Sequence, residues 1–293
     1  MDDETTVARA EFTECDALTN DDPVQQGDVF EWLGTPEPPW RRFGIVVTAD
    51  CDLFFEKHSG ILSYVPVIPL TEYLTRFHLS RRFEEHRQPV VDELVTALRK
   101  HQAIAHPEFP EPVSEEAALR WVERDGPTAM IDQLGVVDPV ERSRMIKLAE
   151  DYQFSVRAAA AGTFDEQVDA LTRLRWHRSK KAAKATWSEI SSLVKRLPGD
   201  AFFIGTLAVG YESGYVAYLR LVRDVRQDEV AIRQSDLGRE SARARRIARL
   251  RSPFIHALTQ QLGAVFSSIG LPTRYEDNRS RLVSVLEAGR GGE

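Results

Sequence analysis

The sequence predicts an α+β fold: a small β-barrel interrupted by a long helical insertion and followed by a C-terminal helix. Three observations lead there. Short β-branched and aromatic runs fill residues 24–70 and return in 199–236, a helical period occupies 71–197 between them, and a last helical segment spans 237–280. The 293 residues, 42% hydrophobic and 28% charged, are ordinary globular composition and enough for a sizeable core.

In order along the chain, residues 1–22 hold eight acids against Arg9 alone and read as an acidic flexible tail. The first β runs are Asp28–Trp32, Phe43–Thr48 and Leu62–Leu70, separated by Gly/Pro-rich stretches such as 34–39. Pro66 and Pro69 place the third run at an edge or a bulge, because each removes a ladder donor. An early helix is expected around Val90–Leu98. Ser114 then caps a second helix, Asp138-Pro139 with Glu141 opens a third that reaches Gly162, and Thr163 with Glu166 forms a capping box for a fourth. Pro198-Gly199 stops the helical text. Runs at 201–207, 215–222 and 230–232 restore the strand signal, and Ser252-Pro253 starts the C-terminal helix.

The net charge of −7 resides in the first 22 residues, so the remainder is neutral and local clusters decide what the chain can bind. Two stand out. The first holds Arg173, Arg175, Arg178, Lys180, Lys181 and Lys184 with Trp176 and Trp187 interleaved, a mixture suited to single-stranded nucleic acid and equally to a protein-docking face. The second runs from Arg239 to Arg251 and includes Arg243 and Arg246. Placed on a helix, it is an arginine row that could contact phosphates or simply face water.

Asp50-Cys51-Asp52 is the densest potential site. On an extended strand Thr48, Asp50 and Asp52 share one face, and the parity of Cys51 groups it with the inward set Ile45, Val47 and Leu53. The aspartates could hold a divalent ion with Glu56 or His58, but capping of a strand end is the reading preferred here. No phosphate-binding glycine loop, nucleophile elbow or zinc-protease motif is present, so neither a cofactor nor a metal is expected. No apolar run approaches a membrane span and no export signal opens the chain, which points to the cytoplasm. Arg-x4-His spacings, used by some helical ribonucleases of the HEPN type, occur at Arg81…His86 and Arg251…His256, with a longer variant at Arg99…His106. With 31 Arg and 7 His, about two such matches arise by chance.

Three β blocks carry a family resemblance: Gly27-Asp28-Val29-Phe30, Arg42 to Thr48, and Ile68-Pro69-Leu70-Thr71. In that order and spacing they resemble the MazF/PemK family, over about 45 residues. The resemblance implies an SH3-like barrel and a metal-independent endoribonuclease in which Arg42 contacts the scissile phosphate and Thr48 assists. Phe43 stands where the family has proline, and Asp50 and Asp52 would repel a phosphate backbone. The stretch GIVVTADCDL, residues 44–53, also resembles a motif of bacterial proteins associated with defence and signalling gene clusters. The preferred expectation is therefore a non-enzymatic interaction module, an accessory subunit of a bacterial defence or stress-response system with a protein partner and a possible nucleic-acid partner. The endoribonuclease is the alternative.

Overall fold

The computed structural model describes residues 13–34, 42–108, 111–177, 179–267, 277–278 and 281–282. Its architecture is α+β. The chain forms two units, Met1–Ile68 with Leu197–Glu293, and Pro69–Arg196.

The first unit is a curled, half-barrel sheet. Its strands are β1 (Cys15–Asp16), β2 (Asp28–Trp32), β3 (Phe43–Val46), β4 (Ile61–Pro69), β5 (Ala201–Ile204), β6 (Tyr215–Tyr218), β7 (Arg223–Arg226), β8 (Val230–Ala231) and β9 (Ala244–Leu250). They lie in the order β1-β9-β2-β3-β4-β6-β5, with β7 added to β4 and β8 to β9. The late strand β9 is thus inserted between two of the earliest. Alternation of side chains gives the sheet two buried faces. Val29, Phe43, Ile45, Val65, Val67, Ala248 and Leu250 pack on one side with Ile255 and Leu258 of α9 (Ser252–Ser267). Phe30, Val46, Leu62, Tyr64 and Val225 pack on the other.

Gly44 sits on the second face, where the rings of Phe30 and Tyr64 meet edge to face at 5.0 Å. A Cβ at this position would stand 2.4 Å from the Phe30 ring and 2.6 Å from that of Tyr64. The glycine is required for close approach of two aromatic rings, and its backbone has no unusual conformation.

Several expectations are corrected here. Residues 13–22 are part of the sheet unit and not a tail: Cys15–Asp16 pairs with Arg249–Leu250, and the Glu14 carboxylate accepts from the backbone N–H groups of Gly205 and Thr206 at 3.0 and 3.2 Å. Residues 1–12, like 35–41, lie outside the described residues. The β4 run is interior, between β3 on one side and β7 and β6 on the other. Its ladder with β7 ends at Tyr64, two residues before Pro66, so the proline falls where the strand changes partner. The Asp50–Asp52 stretch is a helical turn, α1 (Asp50–Phe54), because β3 ends at Val46. Side chains there rotate at the helical period, so parity fails and Cys51 is exposed. The arginine row is β9 and not a helix. A bulge opposite Val29 and Phe30 shifts the β2–β9 register, so Ala244 packs on one face of the sheet while Ala248 and Leu250, at the same sequence parity, pack on the other, and the strand shows no single alternating face.

The second unit is helical: α2 (Leu70–Leu74), a wide π-type turn at Thr75–Leu79, α3 (Ser80–Ala105), α4 (Glu115–Asp125), α5 (Pro127–Gln133), α6 (Pro139–Ala161), α7 (Phe164–Trp176) and α8 (Ala182–Lys195). The caps stand where the sequence places them. Ser114 accepts from the Ala117 N–H at 3.2 Å, Asp138 accepts from Val140 at 3.2 Å, and Thr163 and Glu166 close a reciprocal box. Leu94, Leu98, Val122, Met130, Met145, Leu148 and Leu171 are core residues of this unit. The buried pair His177–Asp151, at 2.8 Å, fastens the end of α7 to α6. No described helix is long and apolar enough to cross a membrane.

Replacing Gly44 by alanine is expected to cost about 1–3 kcal/mol through overpacking, because both nearest neighbours are rings held in a filled layer. Urea unfolding reads this as a lower midpoint at unchanged slope; an unaltered midpoint would show that the rings can separate freely.

Candidate nucleic-acid interface

The resemblance assigns Arg42 and Thr48 to one phosphate, but the structure places them at opposite ends of β3. Six residues of largely extended chain separate them by on the order of 15–20 Å. Arg42 pairs with Glu31 of β2 at 3.2 Å, its side chain 55% exposed, and does not pair with Asp50 or Asp52. Thr48 is occupied at the other end, where its Oγ1 accepts from the Ser63 N–H at 2.7 Å. The two residues are not brought together.

Glu31 is the hub of the Arg42 end. Its carboxylate also accepts from Arg245 at 2.8 Å and from the Tyr211 hydroxyl at 2.8 Å. Burial acts to raise its pKa, but the Tyr211 hydroxyl and the guanidinium groups of Arg245 and Arg42 outweigh it and hold the carboxyl below its ordinary value. Tyr211 is shifted upward, first by burial and then by Glu31. Cys15, buried on β1 opposite Leu250, has its thiol pushed up to about 12 mainly by burial, which leaves it unreactive.

The β9 arginines follow the same pattern. Arg246, only 2% exposed, bonds Asp28 at 3.0 Å and the carbonyl of Pro23 at 2.9 Å. Arg249 bonds Asp28 at 2.6 Å, and Arg251 bonds Asp16 at 2.7 Å. These guanidinium groups are consumed inside the sheet unit, and Arg246 is corrected from a binding residue to a structural one. Arg243 is exposed, and no carboxylate pairs with it among the described residues.

The Arg173–Lys184 cluster divides in two. Arg173 lies over the Phe154 ring at 4.2 Å and bonds Asp169 at 2.9 Å. Arg175 is buried among α3, α7 and α8, donating to His86 Nε2 at 3.0 Å and to Glu189 of α8, which Arg82 also holds at 2.5 Å. It too is corrected to a structural role. Arg178 lies outside the described residues. Lys180, Lys181 and Lys184 are exposed, and among the described residues none of them meets a carboxylate. Lys195 and Arg196 extend this set to the far end of α8. Helical spacing puts Lys184, Trp187, Ser191 and Lys195 on one stripe about 16 Å long. Trp187 is 53% exposed with one edge against Phe164 at 6.4 Å, and Trp176 is 49% exposed at the end of α7. The only acid of α8, Glu189, points inward to Arg82 and Arg175, so nothing on the outer face offsets the lysines. The extension to Lys195 and Arg196 was not read from the sequence; their helical spacing from Lys184 was the available signal.

The HEPN-like spacings assemble no site. Arg81 pairs with Glu85, His86 is turned to Arg175, Arg99 bonds the Val113 carbonyl, and Arg251 bonds Asp16. Among the described residues no three His, Cys, Asp or Glu side chains converge to hold a metal ion.

Two measurements follow from these networks. Asp28→Asn leaves two guanidinium groups without their counter-ion and is expected to cost about 3–5 kcal/mol in denaturant unfolding. The pKa of His86 is lowered by burial first and by Arg175 second. The folded chain therefore holds it neutral while the unfolded chain takes up the proton, so stability present at neutral pH is lost as the pH falls below the ordinary histidine value of 6.5. Melting temperatures should fall more between pH 7 and about 5.5 in the wild type than in His86→Gln, which keeps an acceptor for Arg175; equal falls would show that His86 does not titrate in this window.

No protein-family model, curated protein or solved structure matches the chain.

Proposed function

We propose that the protein is a non-enzymatic interaction module of the cytoplasm, an accessory of a bacterial defence or stress-response system, whose helical unit binds single-stranded nucleic acid along α8. The observation that carries this is the contrast between the two basic clusters. The β9 arginines are mostly engaged by carboxylates, whereas Lys180, Lys181 and Lys184 face water beside two half-exposed tryptophans. Ammonium groups on flexible stems supply phosphate contacts, and indole faces supply stacking that tolerates any base.

In this reading the curled sheet is an SH3-like barrel serving as scaffold, with the helical unit inserted between its halves. The three family-like blocks support the scaffold assignment. The endoribonuclease implied by the same resemblance draws no support from the positions of Arg42 and Thr48, since one phosphate cannot be reached from both ends of β3.

Fluorescence anisotropy with a labelled single-stranded RNA, from about 50 to 400 mM salt, tests the interface. Each phosphate contact on a single strand contributes about 0.7 to the slope of log K against log salt, so Lys180→Gln/Lys181→Gln/Lys184→Gln should flatten the slope by about 2. Trp187→Ala should weaken binding by roughly 5- to 150-fold, corresponding to about 1–3 kcal/mol of stacking. Affinity and slope unchanged in both variants, or no binding at about 50 mM salt, would overturn the proposal.

A further inference from the structure

The sheet unit carries an apolar projection that the nucleic-acid reading does not use. Phe54 and Phe55, at the end of α1, are 81% and 63% exposed, and their rings meet edge to face at 5.0 Å. Ile61, where the loop re-enters β4, is also exposed. Two bulky aromatic side chains presented together to water cost solubility unless something covers them.

The loop that presents them is held in one shape. Lys57 N–H donates to the Asp52 carbonyl at 2.9 Å, His58 Nε2 meets Gln227 Oε1 at 2.6 Å, and the Gln227 N–H donates to the Gly60 carbonyl at 2.8 Å. At the near end the Asp50 carboxylate accepts from the Gln26 N–H at 2.7 Å. Glu56 and Ser59 adopt φ values of 54° and 49°, the left-handed region that residues with a Cβ seldom occupy. Strain of this kind persists only where the surroundings enforce it, and it concentrates at binding and catalytic segments. Catalysis has no candidate here, whereas rigid aromatic anchors are what protein interfaces use, since their ordering entropy is already lost before contact.

The chemistry of the partner follows from the rim. The 50–61 segment that presents the two phenylalanines carries Asp50, Asp52 and Glu56 against Lys57, which lies over the Phe55 ring at 5.3 Å, while Arg226, opposite Ile61 on β7, is paired with Asp228 at 3.0 Å. An acidic rim excludes a nucleic-acid backbone, and in a symmetric pair it would face itself. We infer that the 50–61 loop is a docking knob for a different protein, one offering an apolar pocket bordered by Lys or Arg side chains. This inference is independent of the α8 interface, because it concerns the sheet unit and a partner of opposite charge preference.

A photo-crosslinking phenylalanine analogue placed at position 54 of the full chain, in its native cells, tests it. The expected product is one discrete adduct that resists nuclease and contains a second, different polypeptide. That polypeptide, purified, should bind the wild-type chain at least about tenfold more tightly than Phe54→Ser/Phe55→Ser, whose melting temperature stays unchanged because both side chains are exposed. Asp52→Lys/Glu56→Lys should weaken the same complex and reduce its sensitivity to salt. No adduct, an adduct between two copies of this chain, a nuclease-sensitive adduct, equal binding by the Phe54/Phe55 variant, or indifference to the charge reversal would each overturn the inference.

Discussion

Asp28 bonded to both Arg246 and Arg249 is the constraint on which the sheet unit turns. The carboxylate belongs to β2 and the two guanidinium groups to β9, more than two hundred residues later, and the Asp28 and Arg246 side chains are almost wholly buried. Charges removed from water to this degree carry a desolvation cost that only close pairing and full hydrogen bonding offset. Arg246 meets that requirement with the carbonyls of Asp22 and Pro23 as well, so the same side chain fixes the segment that leads into β2. Register follows: sliding β9 by one residue would bury an unpaired guanidinium and turn Ala248 and Leu250 away from the core. The bulge opposite Val29 and Phe30 lets Arg246 and Arg249 reach one carboxylate from a single strand.

The same logic explains the charge arithmetic of the chain. Acidic residues near the start, Asp16 and Asp28 among them, are the counter-ions of arginines near residue 250. Arginine suits that task because its planar fork satisfies two acceptors and remains charged when buried. Lysine, more strongly hydrated, stays outside, and the lysines around α8 do so. The division of labour between the two cations separates structural charge from available charge better than any count of basic residues.

Legibility in the sequence tracked the range of the interactions involved. Ser114, Asp138 and the Thr163–Glu166 pair act within four residues of themselves, and each is the cap it reads as. The runs at Asp28–Trp32 and Phe43–Val46 also stand as strands, since their alternation serves both buried faces. What failed depended on distant partners. The arginine-rich strand does not read as a strand because its bulge divides equal-parity residues between two faces, Ala244 on one and Ala248 and Leu250 on the other, and Cys51 reads as core because the turn that exposes it begins after Val46. On the site, composition marks Lys180, Lys181 and Trp187, but it cannot separate them from Arg175, whose partners His86 and Glu189 lie on two other helices. Arg42 and Thr48 form a motif in one dimension, while extended backbone keeps them apart in three.

The place of β9 between β1 and β2 has a consequence for how the protein is made. On a ribosome the helical residues 69–196 emerge well before the strand at 244–250, and their contacts are largely local, so they can consolidate while synthesis continues. The early strands cannot. Until β9 arrives, β2 has an open edge, Asp28 has no counter-ion, and the apolar faces of Val29 and Phe30 have no neighbour on that side. The nascent chain therefore carries an unfinished sheet for more than two hundred codons, a window in which a chaperone or a cotranslationally docking subunit would meet it.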